Sequence, residues 1–293
     1  MTTVVELPTP TVVAPRSRRR ALRRVLRNPL AAAGLVVVVV VLAAAALADL
    51  LAPYPFDLVD FDATLQPPSL AHWFGTDELG RDQLSRVLHG LRVSMIVGVM
   101  SVVLSLVVGV PLGLLAGFYR LLDPVISRLT DTLLAFPFLV LAVGLAAILG
   151  PSLTTATVAL AVGLLPLIIR VARSETLRLR EMDFVAAAVA DGADDLELLR
   201  RHILPNAVNA LLVQATVAVP LAIIGEAILS FLGLGVRPPI PSLGVMIASA
   251  QPLFRDGPWL AVIPGVAIVV LTLALNLFGD GLRDALDPRE LRR

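Results

Sequence analysis

The residues able to do chemistry are few, and two of the usual kinds are missing. All 24 basic residues are Arg, and the sequence has neither Lys nor Cys. A Walker A loop places a Lys on nucleotide phosphates and a Schiff-base enzyme needs a Lys amine, so neither can be built here. The lack of Cys excludes disulfides, thiolate nucleophiles and zinc-thiolate sites. ATP hydrolysis at an intrinsic P-loop is therefore excluded.

The histidines and aspartates offer no catalytic set. His72, His89 and His202 lie far apart and lack metal-ligand spacing, so we expect no metal site and no cofactor bound by this chain. An intramembrane hydrolase would need paired aspartates, or a nucleophile with a base, at membrane depth. Asp49 and Asp131 lie near the ends of apolar runs instead. We expect no catalytic residue and a non-enzymatic chain, with an intramembrane hydrolase and a passive channel as the alternatives from other classes.

The apolar residues predict a membrane protein. They make up 57% of the sequence against 16% charged residues, and the mean hydropathy is +0.87. Uncharged runs of about 20 helical residues can cross the roughly 30 Å hydrocarbon layer. We predict an all-α, polytopic fold with six transmembrane helices. The runs that carry them are 30–48, 93–119, 132–169 as two spans broken at Gly150-Pro151-Ser152, 207–232 and 259–279.

The first run has two interpretations. Ala46-Leu47-Ala48 resembles a small-residue cleavage site, as in a signal peptide, but the run exceeds the roughly 7 to 15 residues of a signal h-region. We predict a retained transmembrane helix. The predicted divisions are a cytoplasmic tail (1–28), the first transmembrane helix (29–52), an outer segment with an interfacial helix (53–92), a five-helix core (93–279) and a cytoplasmic C-terminal tail (280–293).

The arginines predict the orientation. Nineteen lie in the segments on the side of the N-terminus and four on the opposite side, with Arg92 at a boundary. Basic residues accumulate in cytoplasmic segments, so we expect both termini in the cytoplasm. The net charge of +1 hides this sided distribution, and it gives no basic face for nucleic acid.

The cytoplasmic loop 173–206 is the most informative segment. A first helix is expected over 178–190 and should stop before Gly192, since Gly permits a sharp turn. A second helix is expected to begin at Asp194, a good N-cap with a Glu in capping-box register, and to end at Pro205, which can open the fifth span.

Small side chains give this loop a surface that another protein's backbone could approach closely. We predict a docking surface, with an ordinary amphipathic loop as the alternative. The small residues are Ala186, Ala187, Ala188, Ala190 and Gly192.

Residues 184–188, Gly192 and 202–206 resemble the EAA loop of ABC importer permeases. The resemblance implies that the short helix of the loop fits a groove on a cytoplasmic ATPase and transmits its closing motion. The positions that match the pattern of the loop are Ala187, Ala188, Gly192, Leu204 and Pro205.

One position departs from that pattern. Ala186 stands where the family usually has a Glu, so a salt bridge from this loop to the ATPase would need another carboxylate, Asp183 or Asp191. On the same resemblance, ATP and magnesium would bind to two partner ATPase subunits or domains.

Further stretches extend the resemblance over about residues 28–289. They resemble the DppC/OppC-type permease subunits of the dipeptide and oligopeptide group, which also includes nickel and glutathione permeases. The resemblance implies import of di- or oligopeptides, a DppB/OppB-like second permease subunit, an extracellular substrate-binding protein and a prokaryotic plasma (inner) membrane location. The stretches are 74–90, 131–137, 229–242 and 276–288.

The stretch 74–90 predicts an outer helix. Thr76 would cap it, Asp82 and Arg86 would pair at i,i+4, and an apolar face would let it lie in the membrane interface. Its acidic residues favour this structural role over a catalytic one.

Two polar residues within the spans are further candidates. Glu226 lies in the fifth span, where lipid exposure of a carboxylate costs about 2.5 to 3.5 kcal/mol at the helix centre, so it should face the bundle interior, a cavity or a partner. A transport role and a packing contact are equal alternatives. The same two roles are open to Asn276 in the sixth span.

The proline-rich outer loop 236–258 is expected to be stiff and extended around Pro238 and Pro239. With Arg237 and Arg255, it is predicted to help dock a substrate-binding protein. The alternative is a loop that only closes off the spans.

Overall fold

The computed structural model describes residues 26–286, and its regular secondary structure there is helical, apart from a single bridge between Thr76 and Asp82. Residues 1–25 of the predicted N-terminal tail and 287–293 of the predicted C-terminal tail lie outside the described residues. The α-helices are α1 (Pro29–Ala46), α2 (Ala48–Leu51), α3 (Gln83–Phe118), α4 (Asp123–Leu134), α5 (Phe138–Leu149), α6 (Leu153–Leu179), α7 (Asp183–Ala190), α8 (Asp195–Glu197), α9 (Leu204–Phe231), α10 (Leu243–Ala250) and α11 (Trp259–Leu286). Short 3-10 turns occupy Phe61–Ala63 and Gln251–Leu253.

Five helices in the described residues are long and apolar enough to cross a membrane. They are α1, α3, α6, the continuous helix Asp195–Phe231 and α11. A bent pair, α4 with α5, provides a sixth span if it is counted as one. The all-α, polytopic class is confirmed.

The third span has a break that the predicted run 132–169 does not include. The hairpin at Gly150 is present, with φ +82° at that residue. Before it, however, α4 and α5 meet at an angle of 88°. Pro137 stands at this break, where a proline has no N–H for the helical ladder and disfavours helical geometry in Phe136.

Of the outer helix predicted over 74–90, only residues 83–90 are helical, and they begin α3, which runs unbroken for 36 residues. At 1.5 Å per residue, this gives about 54 Å, more than the hydrocarbon thickness. Asp82 caps the helix by accepting from the Ser85 N–H at 2.8 Å, whereas the Thr76 hydroxyl donates to the Ala63 carbonyl. The Thr76 cap and the separate interfacial helix are therefore wrong.

The predicted outer loop 236–258 contains a helix, α10. Ser242 caps this helix by accepting from the Val245 N–H at 3.2 Å. Leu243 and Met246 enter a central apolar cluster with side chains of α1, α3, α9 and α11. This burial stabilises the short helix, while Pro238 and Pro239, around which extended chain is predicted, lie in a turn.

Helices α3 and α6 approach each other through a seam of small residues. Gly109, Gly113 and Gly117 of α3 recur every four residues and meet 168–176 of α6. A Cβ on Gly113 would lie 2.6 Å from the Ile169 carbonyl oxygen. In a membrane, where lipid removes the hydrophobic drive between helices, such small-residue contacts let backbones pack closely.

Gly113→Ala is expected to lower the midpoint of thermal unfolding, because the added methyl group meets backbone that cannot move independently of α6. Gly144→Ala is the matched control, since a Cβ there meets nothing within 4 Å and Ala favours a helix by about 1 kcal/mol over Gly. Intrinsic tryptophan fluorescence in detergent measures both midpoints. Equal midpoints for the two variants would contradict the close α3–α6 contact.

Candidate functional site

The segment between α6 and α9 folds into an elbow, defined here as residues 180–203. The first predicted helix is shorter than expected, because α6 ends at Leu179 and α7 begins at Asp183. Arg180 donates from Nη1 to the Gly117 carbonyl oxygen at 2.8 Å. This bond ties the end of α6 to the last turn of α3.

The predicted turn and cap of the elbow are present. Gly192 has φ +91°, a conformation that L-residues rarely adopt. The Asp194 side chain then accepts from the Glu197 N–H at 2.7 Å. These two local signals reverse the chain between α7 and α8.

The two faces of α7 have different surroundings. Val185 and Ala188 are buried against Leu198. Ala186 and Ala187 are exposed. Ala188 therefore shapes the interior of the elbow, and a bulky side chain there would disturb the elbow itself.

The predicted docking face of the elbow is mostly apolar. It consists of the exposed residues Asp183, Phe184, Ala186, Ala187, Val189, Ala190, Asp191 and Gly192. Asp183 is one of the two carboxylates that could take the place of the Glu that the family usually has at position 186. It is exposed in the first turn of α7.

The second helix of the elbow continues past the predicted end at Pro205. A π-helical turn, Leu198–Ile203, connects α8 to α9, so the helix runs on to Phe231. Leu204 is half-buried and Pro205 is exposed just after this turn. Proline removes one backbone donor, and a change of hydrogen-bond register in the preceding turn accommodates the loss.

The elbow rests on one end of the long helices. Leu199 and Ile203 pack with Leu114 of α3, and with Ala172 and Leu179 of α6. Ala207 and Leu211 of α9 belong to the same cluster, so the elbow is in direct packing contact with α3, α6 and α9.

Glu226 lies in the bundle interior with no exposed surface. The Ser94 hydroxyl of α3 donates to its Oε2 at 2.6 Å, and the Ser230 hydroxyl of α9 donates to its Oε1 at 2.7 Å. Ser230 Oγ also accepts from the Val236 N–H at 3.3 Å. One carboxylate thus links α3, α9 and the start of the outer loop.

The other polar candidates are not brought together into a site. Asn276 is exposed near the end of α11, and its side chain has no hydrogen bond within residues 26–286. The predicted docking residues of the outer loop, Arg237, Pro238, Pro239 and Arg255, are all exposed.

Sequence reasoning missed a buried ionic network in the outer segment. Arg81 and Arg86 both face Asp77, with N–O distances of 2.7 and 3.5 Å, so the predicted pair between Asp82 and Arg86 is wrong. Asp82 instead bonds to His72 at 3.0 Å. The sequence shows that the stretch is rich in opposite charges. It does not show which charges pair, because the pairs depend on a fold that brings Asp82 beside Thr76.

Two family models match the sequence. One, described as the inner membrane component of binding-protein-dependent transport systems, matches residues 109–292. The other, the N-terminal transmembrane domain of oligopeptide transport permease C, matches residues 18–68. The chain belongs to this permease family. It is a membrane permease subunit of the ABC transporter type.

Relatives of the permease match along most of its length. A dipeptide transport permease, DppC, of Alkalihalophilus pseudofirmus is 41% identical, over 92% of this chain and 90% of the relative. A di/tripeptide DppC of Pseudomonas aeruginosa is 44% identical over 89% of both chains. A glutathione transport permease, GsiD, of Pectobacterium atrosepticum is 41% identical over 91% and 89%. The DppC/OppC-type resemblance is thereby confirmed.

A solved structure supports the fold of the permease. An inward-facing form of the MetNI methionine ABC transporter matches with a TM-score of 0.57 and 22% identity, covering 69% of this chain and 96% of that one. The helical arrangement is therefore that of a known ABC transporter permease.

Glu226→Ala is expected to lower the midpoint of thermal unfolding of the permease, because it leaves two buried hydroxyl groups without an acceptor. Hydrogen bonds between helices in membranes contribute about 0.6 to 2 kcal/mol each. Glu226→Gln keeps an acceptor oxygen, so it is expected to lower the midpoint less than Glu226→Ala does. Ser94→Ala should have little further effect in the Glu226→Ala background. Additive losses in the double variant would show that Ser94 and Glu226 are not coupled.

Proposed function

We propose that this permease imports di- or oligopeptides across a prokaryotic inner membrane, with a DppB/OppB-like permease forming the other half of the path. The peptide substrate is supported by two relatives that are named for di- or tripeptide transport and align over about nine tenths of the chain. Both termini lie in the cytoplasm in this proposal, which follows from the 19-to-4 arginine distribution.

The docking face of the elbow is the observation that carries the mechanism. Two partner ATPase subunits or domains bind ATP and magnesium, and each permease offers one elbow to an ATPase. The exposed Ala186 and Ala187 let a groove approach the α7 backbone, while the packing beneath the elbow passes the movement to α3, α6 and α9. This chain has no catalytic residue in the proposal.

Import requires one bundle with two stable arrangements. The loaded substrate-binding protein and the ATP-bound ATPases each favour one arrangement over the other, the first from the outer side and the second through the elbow. Each ligand shifts the equilibrium only by its difference in affinity for the two states. The elbow transmits this difference because it is packed against the inner helix ends.

Glutathione is the second candidate substrate. The support is the 41% identical glutathione permease, which covers as much of this chain as the dipeptide relatives do. Nickel, transported by other members of the group, is a third. Competition of each compound with labelled dipeptide for uptake into ATP-loaded proteoliposomes containing the complete transporter separates the three.

Ala187→Trp is expected to reduce dipeptide uptake and ATPase co-purification at least tenfold, because the indole would block close approach of the ATPase to α7. The permease itself should keep its unfolding midpoint, since Ala187 is exposed. Leu121→Trp, at an 89% exposed position between α3 and α4, is the control for added bulk at the same end of the bundle. Full uptake by Ala187→Trp would exclude the elbow as the docking site.

Arg237→Glu and Arg255→Glu are expected to reduce the stimulation of ATPase activity by the substrate-binding protein, because both positive charges are exposed in the outer loop. The basal ATPase rate of the complex should stay the same. Unchanged stimulation in the double variant would remove the outer loop from the docking proposal.

A further inference from the structure

An open cleft lies between α4 and α6. Its volume is about 310 Å³. Pockets for small molecules in proteins begin at about 300 Å³. The lining residues are Ser127, Thr130, Asp131, Ile169, Arg170 and Arg173.

One ion pair at the cleft is closed. Arg173 donates from Nε to Asp123 Oδ1 at 2.6 Å and from Nη2 to Asp123 Oδ2 at 2.7 Å. The Ser127 hydroxyl also donates to Asp123 Oδ1, at 2.9 Å. Both carboxylate oxygens are occupied, so this pair holds α4 against α6 and offers little to a ligand.

The second ion pair is open. Arg170 donates to Asp131 through one bond, from Nη2 to Oδ1 at 2.9 Å. The two side chains are 59% and 66% exposed. Among the described residues, Asp131 Oδ2 accepts no hydrogen bond, and Nε and Nη1 of Arg170 donate none. A positive group and a negative group are thus both available at the cleft.

The position of the cleft makes these charges unsuited to a lipid-tail environment. Asp123, Ser127, Thr130 and Asp131 recur on one side of the amphipathic α4, as an i, i+4, i+7, i+8 series. Charged residues on membrane helices face a polar cavity, water or a protein partner rather than hydrocarbon. The cleft therefore faces water, a polar ligand or a protein partner, and its charges remain accessible in each of the first two cases.

We propose that this cleft binds a small zwitterion, with Arg170 receiving its carboxylate or other anionic group and Asp131 its ammonium group. An unblocked peptide in transit carries both charges, and we assign the site to such a peptide. This assignment rests on the proposed function. A phosphatidylethanolamine headgroup has the same pair of charges and is the second source of this chemistry.

The test uses the complete permease and ATPase complex in nanodiscs, without the substrate-binding protein, so that the selectivity of that protein does not enter. The probe is a dipeptide containing a photoreactive leucine, and mass spectrometry locates its cross-links. We expect labelling of α4 and α6 by the unblocked dipeptide. The N-acetylated, C-amidated dipeptide is expected to label them at least fivefold less.

Asp131→Asn and Arg170→Gln are each expected to reduce the labelling at least fivefold. Arg128→Gln is the matched control, since Arg128 is an exposed arginine of α4, the helix of Asp131, and does not line the cleft. Peptides blocked at one end show which charged group of the peptide each side chain binds. Amidation should remove the effect of Arg170→Gln, and acetylation should remove the effect of Asp131→Asn. Unfolding midpoints measured for each variant show whether a loss reflects misfolding.

Equal labelling by blocked and unblocked peptides, or by the two variants and the wild type, would overturn the proposal. Absence of peptide labelling, together with phosphatidylethanolamine retention that depends on both charges in native mass spectrometry, would assign the site to lipid and overturn the peptide assignment. Dipeptide uptake by the wild-type transporter is measured in parallel. Uptake without labelling refutes this site alone, whereas absence of uptake refutes the proposed function.

Discussion

The close contact between α3 and α6 is the constraint on which the other features of the permease depend. The seam ends at Gly117, and the carbonyl of this same residue accepts from Arg180, where the chain leaves α6 for the elbow. A larger side chain in the seam would separate the two backbones and displace the support beneath the elbow. The small residues thus set the position of the predicted docking face, although none of them lies on it.

The number and type of the spans could be predicted because they depend on run length and apolarity, which the sequence contains directly. The direction of the chain within an apolar run could not be predicted, because it does not depend on run length and apolarity. The 88° bend between α4 and α5 and the insertion of α10 into the central cluster both follow from tertiary packing. A run of eight mostly apolar residues among prolines resembles a loop until its partners on α3, α9 and α11 are known. Likewise, α3 continues through a stretch whose charges suggested a separate helix.

The elbow was predictable where its signals are local. Gly192 and Asp194 act through their own backbone and the next turn, so their roles could be inferred from residue type and spacing. The opposite orientations of Ala187 and Ala188 could not be inferred, because they depend on Leu198 beyond the turn. For Glu226, the unfavourable energy of a lipid-exposed carboxylate predicted an interior position, but only the fold shows that its partner is Ser94, 132 positions away.

The length of α6 determines how far its end moves when the helix tilts. Its 27 residues form a rod of about 40 Å, which begins at the Gly150 hairpin and ends at the elbow. A rotation of about 5° around the hairpin would move the far end by roughly 3.5 Å, given that rod length. Conversely, a displacement of a few ångströms at the elbow would change the tilt by only a few degrees. If α6 turns as a rod about the hairpin, displacement grows in proportion to the distance from Gly150 and is greatest at the elbow.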